Sequence, residues 1–194
     1  MTKSIILIPS RLDATRLPSK PLLKINNKSL INHVYEKGKS ANIGEVYVAT
    51  GDHEIFDEVI KNNGNCIITK KKHLTGTDRI YEAYKQLKLN DIDYIINLQG
   101  DEPLIDVKDI INLNNLAIRN NSDMATLACK LKNKDIENKN IVKVICKEDI
   151  EKNKFSTAQS FSRLIIGESL ENVYHHIGIY IYKTSILKKF IKLK

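Results

Sequence analysis

Cysteine, arginine and long apolar runs are all scarce in this chain of 194 residues. Its three cysteines, Cys66, Cys129 and Cys146, are odd in number, far apart and in no metal-ligand spacing. That excludes a disulfide scaffold and a zinc module. Each lies in a strand-like apolar context and reads as a buried free thiol. No apolar run approaches the ~20 residues that a membrane-crossing helix needs. The opening apolar stretch is too short for a signal-peptide core and has no cleavage site. These absences predict a cytoplasmic protein without a membrane partner. No G-x-G-x-x-G follows the first strand-like run and no Walker lysine loop occurs, which argues against a dinucleotide oxidoreductase and a P-loop ATPase. Repeats, low-complexity linkers and any Ser-His-Asp or Cys-His grouping are also missing.

What is present begins with charge. The formal balance is +8, from 31 basic and 23 acidic residues. Such a balance invites a nucleic-acid reading. Yet the lysines are scattered apart from Lys70-Lys71-Lys72, and no aromatics interleave with them as a base-stacking platform requires. No nucleic-acid partner is expected. Lysine, asparagine and isoleucine are abundant along the whole chain, so the few arginines stand out. Arg11, Arg16, Arg79 and Arg163 all fall inside motifs described below; Arg119 does not.

Up to about residue 128 the pattern alternates between strand and helix. Strand-like runs cover residues 4–8, 45–50, 65–69, 93–98 and 123–128. Apolar residues at helical spacing fill the gaps: Leu30 and Val34; Ile55, Phe56, Val59 and Ile60; Ile80, Ala83, Tyr84 and Leu87; Ile110, Ile111, Leu113 and Leu116. Alternating units of this kind predict an α/β fold with a mostly parallel central sheet and helices on both faces. After about residue 130 an extended, lysine-rich β insertion is expected, with runs at 141–146 and 156–161. Residues 174–182 then alternate, with Ile177, Ile179 and Ile181 on one face and His176, Gly178, Tyr180 and Tyr182 on the other. A short helix from Thr184 closes the chain. No domain boundary is evident, so residues 1–194 read as a single domain.

Ligands of parallel α/β sheets bind at the carboxyl ends of the strands. Two loops leave that edge. The first carries Arg11, Arg16 and Lys20 among Pro9, Pro18 and Pro21, which bar both helix and sheet interior. A stiff loop with arginine forks suits a triphosphate. The second is Gln99-Gly100-Asp101-Glu102-Pro103, whose aspartate is placed to bind Mg²⁺ together with substrate phosphates. Thr75-Gly76-Thr77-Asp78-Arg79 opens the third helix, where free amides make an anion site. On the face of His176, Gly178 leaves a gap for a small polar ligand, with Arg163 supplying charge.

Six segments in register resemble one family: Ile8-Pro-Ser-Arg11 with residues 15–22, Val48-Ala-Thr-Gly-Asp52, Thr75-Gly-Thr-Asp-Arg79, Gln99-Gly-Asp-Glu-Pro103, Phe161-Ser-Arg163 and His176-Ile-Gly-Ile-Tyr180. The family is 3-deoxy-manno-octulosonate cytidylyltransferase, or CMP-Kdo synthetase, and the resemblance runs over essentially the whole chain. It implies a nucleotide-sugar-synthetase fold and a transfer of CMP from CTP to the anomeric hydroxyl of Kdo, an eight-carbon acidic sugar, for lipopolysaccharide synthesis. It implies that Arg11, Lys20 and Arg79 hold triphosphate oxygens with Arg16 as helper. Thr75 and the turn from Ala49 to Asp52 are implied near cytidine. Asp101 is implied as the ligand of a Mg²⁺ cofactor, and Gln99, Arg163, His176 and Tyr180 as contacts to the sugar acid. Arg11, Lys20 and Asp101 are the residues implied in catalysis. The resemblance also implies a homodimer.

Four departures accompany the resemblance. Ser10 and Ser19 stand where the family has Ala and Gly, and Gly51 where an aspartate is common. The family continues with a helix rich in Glu, Leu and Gln and a closing segment with a second metal-binding aspartate, neither of which is in this sequence. The expectation is therefore a truncated member, weak or inactive unless another fragment completes it. Two alternatives stay open: a cytidylyltransferase for another acidic sugar such as a sialic acid, and a non-catalytic nucleotide-binding fragment.

Overall fold

The computed structural model describes residues 2–13, 17–151, 154–165 and 170–193. In chain order its elements are β1 (Ser4–Ser10), β2 (Lys24–Ile25), β3 (Lys28–Ser29), α1 (Leu30–Ser40), β4 (Val46–Thr50), α2 (His53–Lys61), β5 (Cys66–Ile68), α3 (Gly76–Leu87), β6 (Tyr94–Leu98), α4 (Val107–Arg119), β7 (Met124–Lys130), β8 (Lys143–Cys146), β9 (Ala158–Ser162), β10 (Val173–Lys183) and α5 (Thr184–Phe190). They group into two compact units, residues 1–125 with 179–194, and residues 126–178.

The first unit is the expected α/β sheet. β1 lies between β4 and β6, and β5 flanks β4, all parallel. The C-terminal half of β10 runs antiparallel on the other edge of β6. All seven residues of β1 are buried, because helices cover both faces of the sheet. Ile5 and Leu7 pack with Ile80 of α3, Ile95, Tyr182 and Leu187 of α5. On the other face Ile6 and Ile8 approach α1, at Gly38 and Ile31. A strand buried on both sides reads as a continuous apolar run rather than an alternating one. Truncating a side chain such as Leu7 to alanine costs about 2–5 kcal/mol.

Two-sided burial corrects one sequence expectation. Tyr182 shares the alternating face of His176 and Tyr180, yet it is 2% exposed and belongs to the core. Burial pushes its hydroxyl up to about 12, partly offset by a hydrogen bond with Thr77. Pro9 needs a second correction, since β1 continues through it to Ser10. Even-numbered amides such as Ile6 point to the β4 side. The missing amide of Pro9 therefore falls on the β6 side, where pairing has already ended at Leu7 with Asn97. Proline breaks no ladder bond there.

The second unit is antiparallel. β8 is its middle strand, paired with β9 on one edge and the N-terminal half of β10 on the other. β7 also pairs with β10. The cysteines divide three ways: Cys146 is buried, Cys66 half-buried and Cys129 exposed, so the expectation of three buried thiols is corrected for Cys129. It sits at the exposed C-terminal end of β7, whose apolar pattern covers only its middle. Among the described residues, no helix is long and apolar enough to cross a membrane.

Candidate active site

The loop after β1 is fixed at both ends of its first turn. The backbone amide of Leu12 donates to Asp52 Oδ2 at 2.9 Å. Its carbonyl accepts from the amide of Ser19 at 3.2 Å. Asp52, 7% exposed, comes from the turn after β4, so a residue forty positions away holds the loop at its start. This leaves Arg11 exposed beside it. Ser19 adopts a left-handed conformation, φ 54°, and Lys20-Pro21-Leu22 form a 3-10 turn. That turn presents Lys20 Nζ to Asp101 Oδ2 at 2.9 Å. Arg16 lies outside the described residues.

Backbone crowding explains why the rim needs glycine. A Cβ on Gly100 would lie 2.9 Å from the carbonyl oxygen of Pro9, so the turn to Asp101 crosses the end of β1 at close range. At Gly51 a Cβ would lie 2.5 Å from Lys71 Cα. The close approach of the loop after β5 accounts for glycine at that departure from the family pattern.

The start of α3 closes the same rim from the other side. Thr75 Oγ1 accepts from the amide of Asp78, and Asp78 accepts in return from the Thr75 amide, a reciprocal capping box. Gly76 sits next to Pro9 and near Gln99 Oε1. Gln99 donates through Nε2 to Asn97 Oδ1 at 3.1 Å, and Asn97 Nδ2 is buried with no partner among the described residues. Ala49 is fully buried, so its side chain cannot line a nucleotide site and only its backbone can serve.

Arg79, implied to hold triphosphate oxygens, bonds within the protein through three of its donor contacts. It is 3% exposed. Nη1 donates to Thr69 Oγ1 at 2.6 Å and to the Lys70 carbonyl at 3.1 Å, and Nη2 donates to the Lys71 carbonyl at 3.0 Å. Those are three bonds, against five donors on a guanidinium. Burial lowers its pKa first; Asp52 opposes that and Arg11 adds to it. The side chain thus clamps residues 69–71 while its charge stays within range of Arg11 and Asp52. Clamping by buried Arg79 and anchoring by buried Asp52 depend on distant partners. Sequence reading finds the residues but not these contacts.

The structure therefore brings Arg11, Lys20, Asp52, Thr75, Arg79, Gln99 and Asp101 to the carboxyl rim of one sheet. Tyr180 also belongs to this first unit, stacked on Tyr182 with ring centroids 6.1 Å apart. Burial raises its hydroxyl pKa. Arg163 and His176 belong to the second unit. Arg163 Nη1 donates to the carbonyls of Lys139 and Asn140 at 3.0 and 3.2 Å. His176 Nε2 lies 3.0 Å from Thr126 Oγ1, and Phe161 meets its ring edge-on at 5.3 Å. Burial, then His175, lowers the His176 pKa.

A cytidylyltransferase family profile matches residues 5–194. The chain is 42% identical to 3-deoxy-manno-octulosonate cytidylyltransferase of Thermodesulfovibrio yellowstonii, over 98% of this chain and 79% of that protein. It is 41% identical to the enzyme of that name from Fusobacterium nucleatum, over 98% of this chain and 77% of the relative. The chain belongs to the CMP-Kdo synthetase family of cytidylyltransferases. A solved CMP:2-keto-3-deoxy-manno-octonic acid synthetase complexed with CTP superposes with a TM-score of 0.86 at 33% identity, covering 100% of this chain and 79% of that one. A 4-diphosphocytidyl-2C-methyl-D-erythritol synthase from Anaerococcus prevotii, 13% identical with a TM-score of 0.62, shares the fold alone.

A CMP-Kdo synthetase fold of this kind offers a metal few ligands. Among the described residues no group of three His, Cys, Asp or Glu side chains converges. Asp101 is exposed and bonds Lys20 through Oδ2. A single hard carboxylate beside a loop carrying Arg11 and Lys20 fits Mg²⁺, which keeps waters and takes its other oxygens from substrate. It does not fit zinc or a metal caged by the protein alone.

Proposed function

We propose that this chain transfers CMP from CTP to the anomeric hydroxyl of Kdo and releases pyrophosphate. One observation carries the reading: the 2.9 Å pair of Lys20 and Asp101 joins the basic loop to the Gly100 turn at a single rim. In the reaction the sugar oxygen forms a bond to the α-phosphorus, the bond from that phosphorus to the bridging oxygen breaks, and the hydroxyl proton is lost. No protein nucleophile is needed; alignment and neutralisation of charge carry the catalysis.

Arg11 and Lys20 supply the cations for triphosphate oxygens, with Arg16 as helper. Asp52 holds Arg11 in place through the Leu12 amide, and Arg79 holds the loop of residues 69–71 and adds charge nearby. The N-terminus of α3 at Thr75 and the backbone from Ala49 to Asp52 serve the cytidine. Gln99, Tyr180, Arg163 and His176 serve the sugar acid. Asp101 would hold Mg²⁺, whose chemistry when bound is to polarise the α-phosphate and lower the pKa of the attacking hydroxyl.

A nucleotide substrate of this kind is our reason for assigning the chain to the cytoplasm, and we extend the family expectation of a homodimer to it, testable by light scattering. The test of function is pyrophosphate release from CTP with Kdo against a panel that includes sialic acid. Kdo-dependent release that Asp101→Asn removes, with the fold retained, is the expected result. Release with sialic acid alone would reassign the sugar. CTP binding without release would leave a nucleotide-binding protein only.

A further inference from the structure

Lys143, on the middle strand of the second unit, is fully buried. Lysine is almost never so placed unless it is paired. Among the described residues it has no carboxylate partner. Its Nζ donates instead to two backbone carbonyls, Asn138 at 2.7 Å and Arg163 at 2.8 Å. Arg163 donates back through Nη1 to the carbonyls of Lys139 and Asn140. Two cations thus stitch residues 138–140 to residue 163 in both directions.

Strand register adds to this. Lys143 pairs directly with Ser162 on β9 and with His175 on β10. Those are the residues immediately before Arg163 and His176. The His176 amide donates to the Val142 carbonyl at 3.0 Å. Both sugar-acid residues of the second unit therefore hang on the Val142–Lys143 step of β8. The two carbonyls take up Nη1 of Arg163, which orients the guanidinium; among the described residues no bond is made to its Nε edge, and that edge suits a planar carboxylate.

An apolar side chain of similar volume would fill the Lys143 site without desolvating a charge. Filling the space therefore gives no reason for a charge, although the two carbonyls do need a donor. A fixed ammonium that sets the backbone of Arg163 does give one, since its Nζ lies 2.8 Å from the Arg163 carbonyl oxygen. We propose that Lys143 is a positioning residue for the sugar acid: it fixes the Arg163 backbone and residues 138–140, so that the guanidinium is set in advance for the carboxylate of the sugar.

This rests on the reading given under Proposed function, and wild-type turnover of CTP with Kdo tests that reading by itself. The variant test is steady-state kinetics of Lys143→Met, beside Lys143→Gln, Arg163→Ala and the double variant Lys143→Met/Arg163→Ala. Lys143→Met should raise the KM for Kdo about tenfold and leave the KM for CTP within about twofold. Lys143→Gln, which keeps donors without charge, should recover part of the loss. The double variant should be no worse than Arg163→Ala, because both changes remove one interaction.

A merely structural lysine would lower the folded fraction without separating the two substrates. An unchanged KM for Kdo, equal rises for both substrates, or additive losses in the double variant would overturn the proposal. If Lys143→Met does not fold, the Gln variant carries the same comparison. Should the wild type not turn over, Kdo binding to wild type and variant by saturation-transfer NMR decides: weaker binding in the variant supports the role, equal binding overturns it. Absence of Kdo binding to the wild type would overturn both readings together.

Discussion

Lys20 and Lys143 show two ways of using the same side chain. Lys20, 36% exposed, meets an acid partner that is itself 55% exposed. Lys143 has no exposure and, among the described residues, its Nζ meets only carbonyls. An exposed ion pair contributes about 0–1 kcal/mol and opens readily. A buried ammonium held by two carbonyls cannot leave without stranding both acceptors. The first arrangement suits a cation that must exchange one partner for another, and the second suits one that must never move. Lys20 thus has a replaceable contact and Lys143 a fixed one.

The comparison breaks most visibly at Lys20. Lys20→Met should lower turnover about a hundredfold or more while the melting temperature barely changes, as differential scanning calorimetry alongside the pyrophosphate assay would show. Equal damage to stability would mean that the exposed pair is structural after all. Asp52→Ala comes next. It removes the acceptor of the Leu12 amide, and a hydrogen bond to a charged group is worth about 1.5–3 kcal/mol. Urea midpoints should fall accordingly, with weaker CTP binding because Arg11 loses its anchor.

A smaller effect is expected at His176. Its folded pKa lies below the ordinary 6.5, so the unfolded chain takes up the proton first as pH falls. Its contribution to stability is complete above 6.5 and declines from there down towards the lower folded value. Denaturation midpoints below about pH 6.5 should decline less steeply in His176→Asn than in the wild type. Parallel curves would assign the acid sensitivity to other groups. Least of all should Ser19→Gly matter. Relief of a left-handed serine and the greater freedom of unfolded glycine oppose each other, so stability should stay within about 1 kcal/mol. A larger loss would show that the Ser19 side chain itself supports the turn.

Much of this is legible in the sequence itself. Continuous apolar runs separated by helical spacing define the parallel sheet, and the two loops leaving its carboxyl edge meet as expected at Lys20 and Asp101. What could not be read depends on partners far away in sequence. The Arg79 clamp needs the carbonyls of residues 70 and 71 to turn inward. Pro9 remains in a strand because the neighbouring strand has already ended. Tyr182 is core because α3 and α5 cover a face that alternation alone marks as polar. Lys143 reads as one lysine among many, since nothing local announces complete burial.

The mutual hold of Lys20 and Asp101 has a consequence for ionic strength. Before nucleotide can recruit either group, their own attraction has to be given up. Added electrolyte weakens that attraction and, on the proposed reading, the phosphate contacts that would replace it, so two opposing dependences partly cancel. The affinity of this chain for CTP should therefore decline with salt more gently than the number of cations along its rim implies.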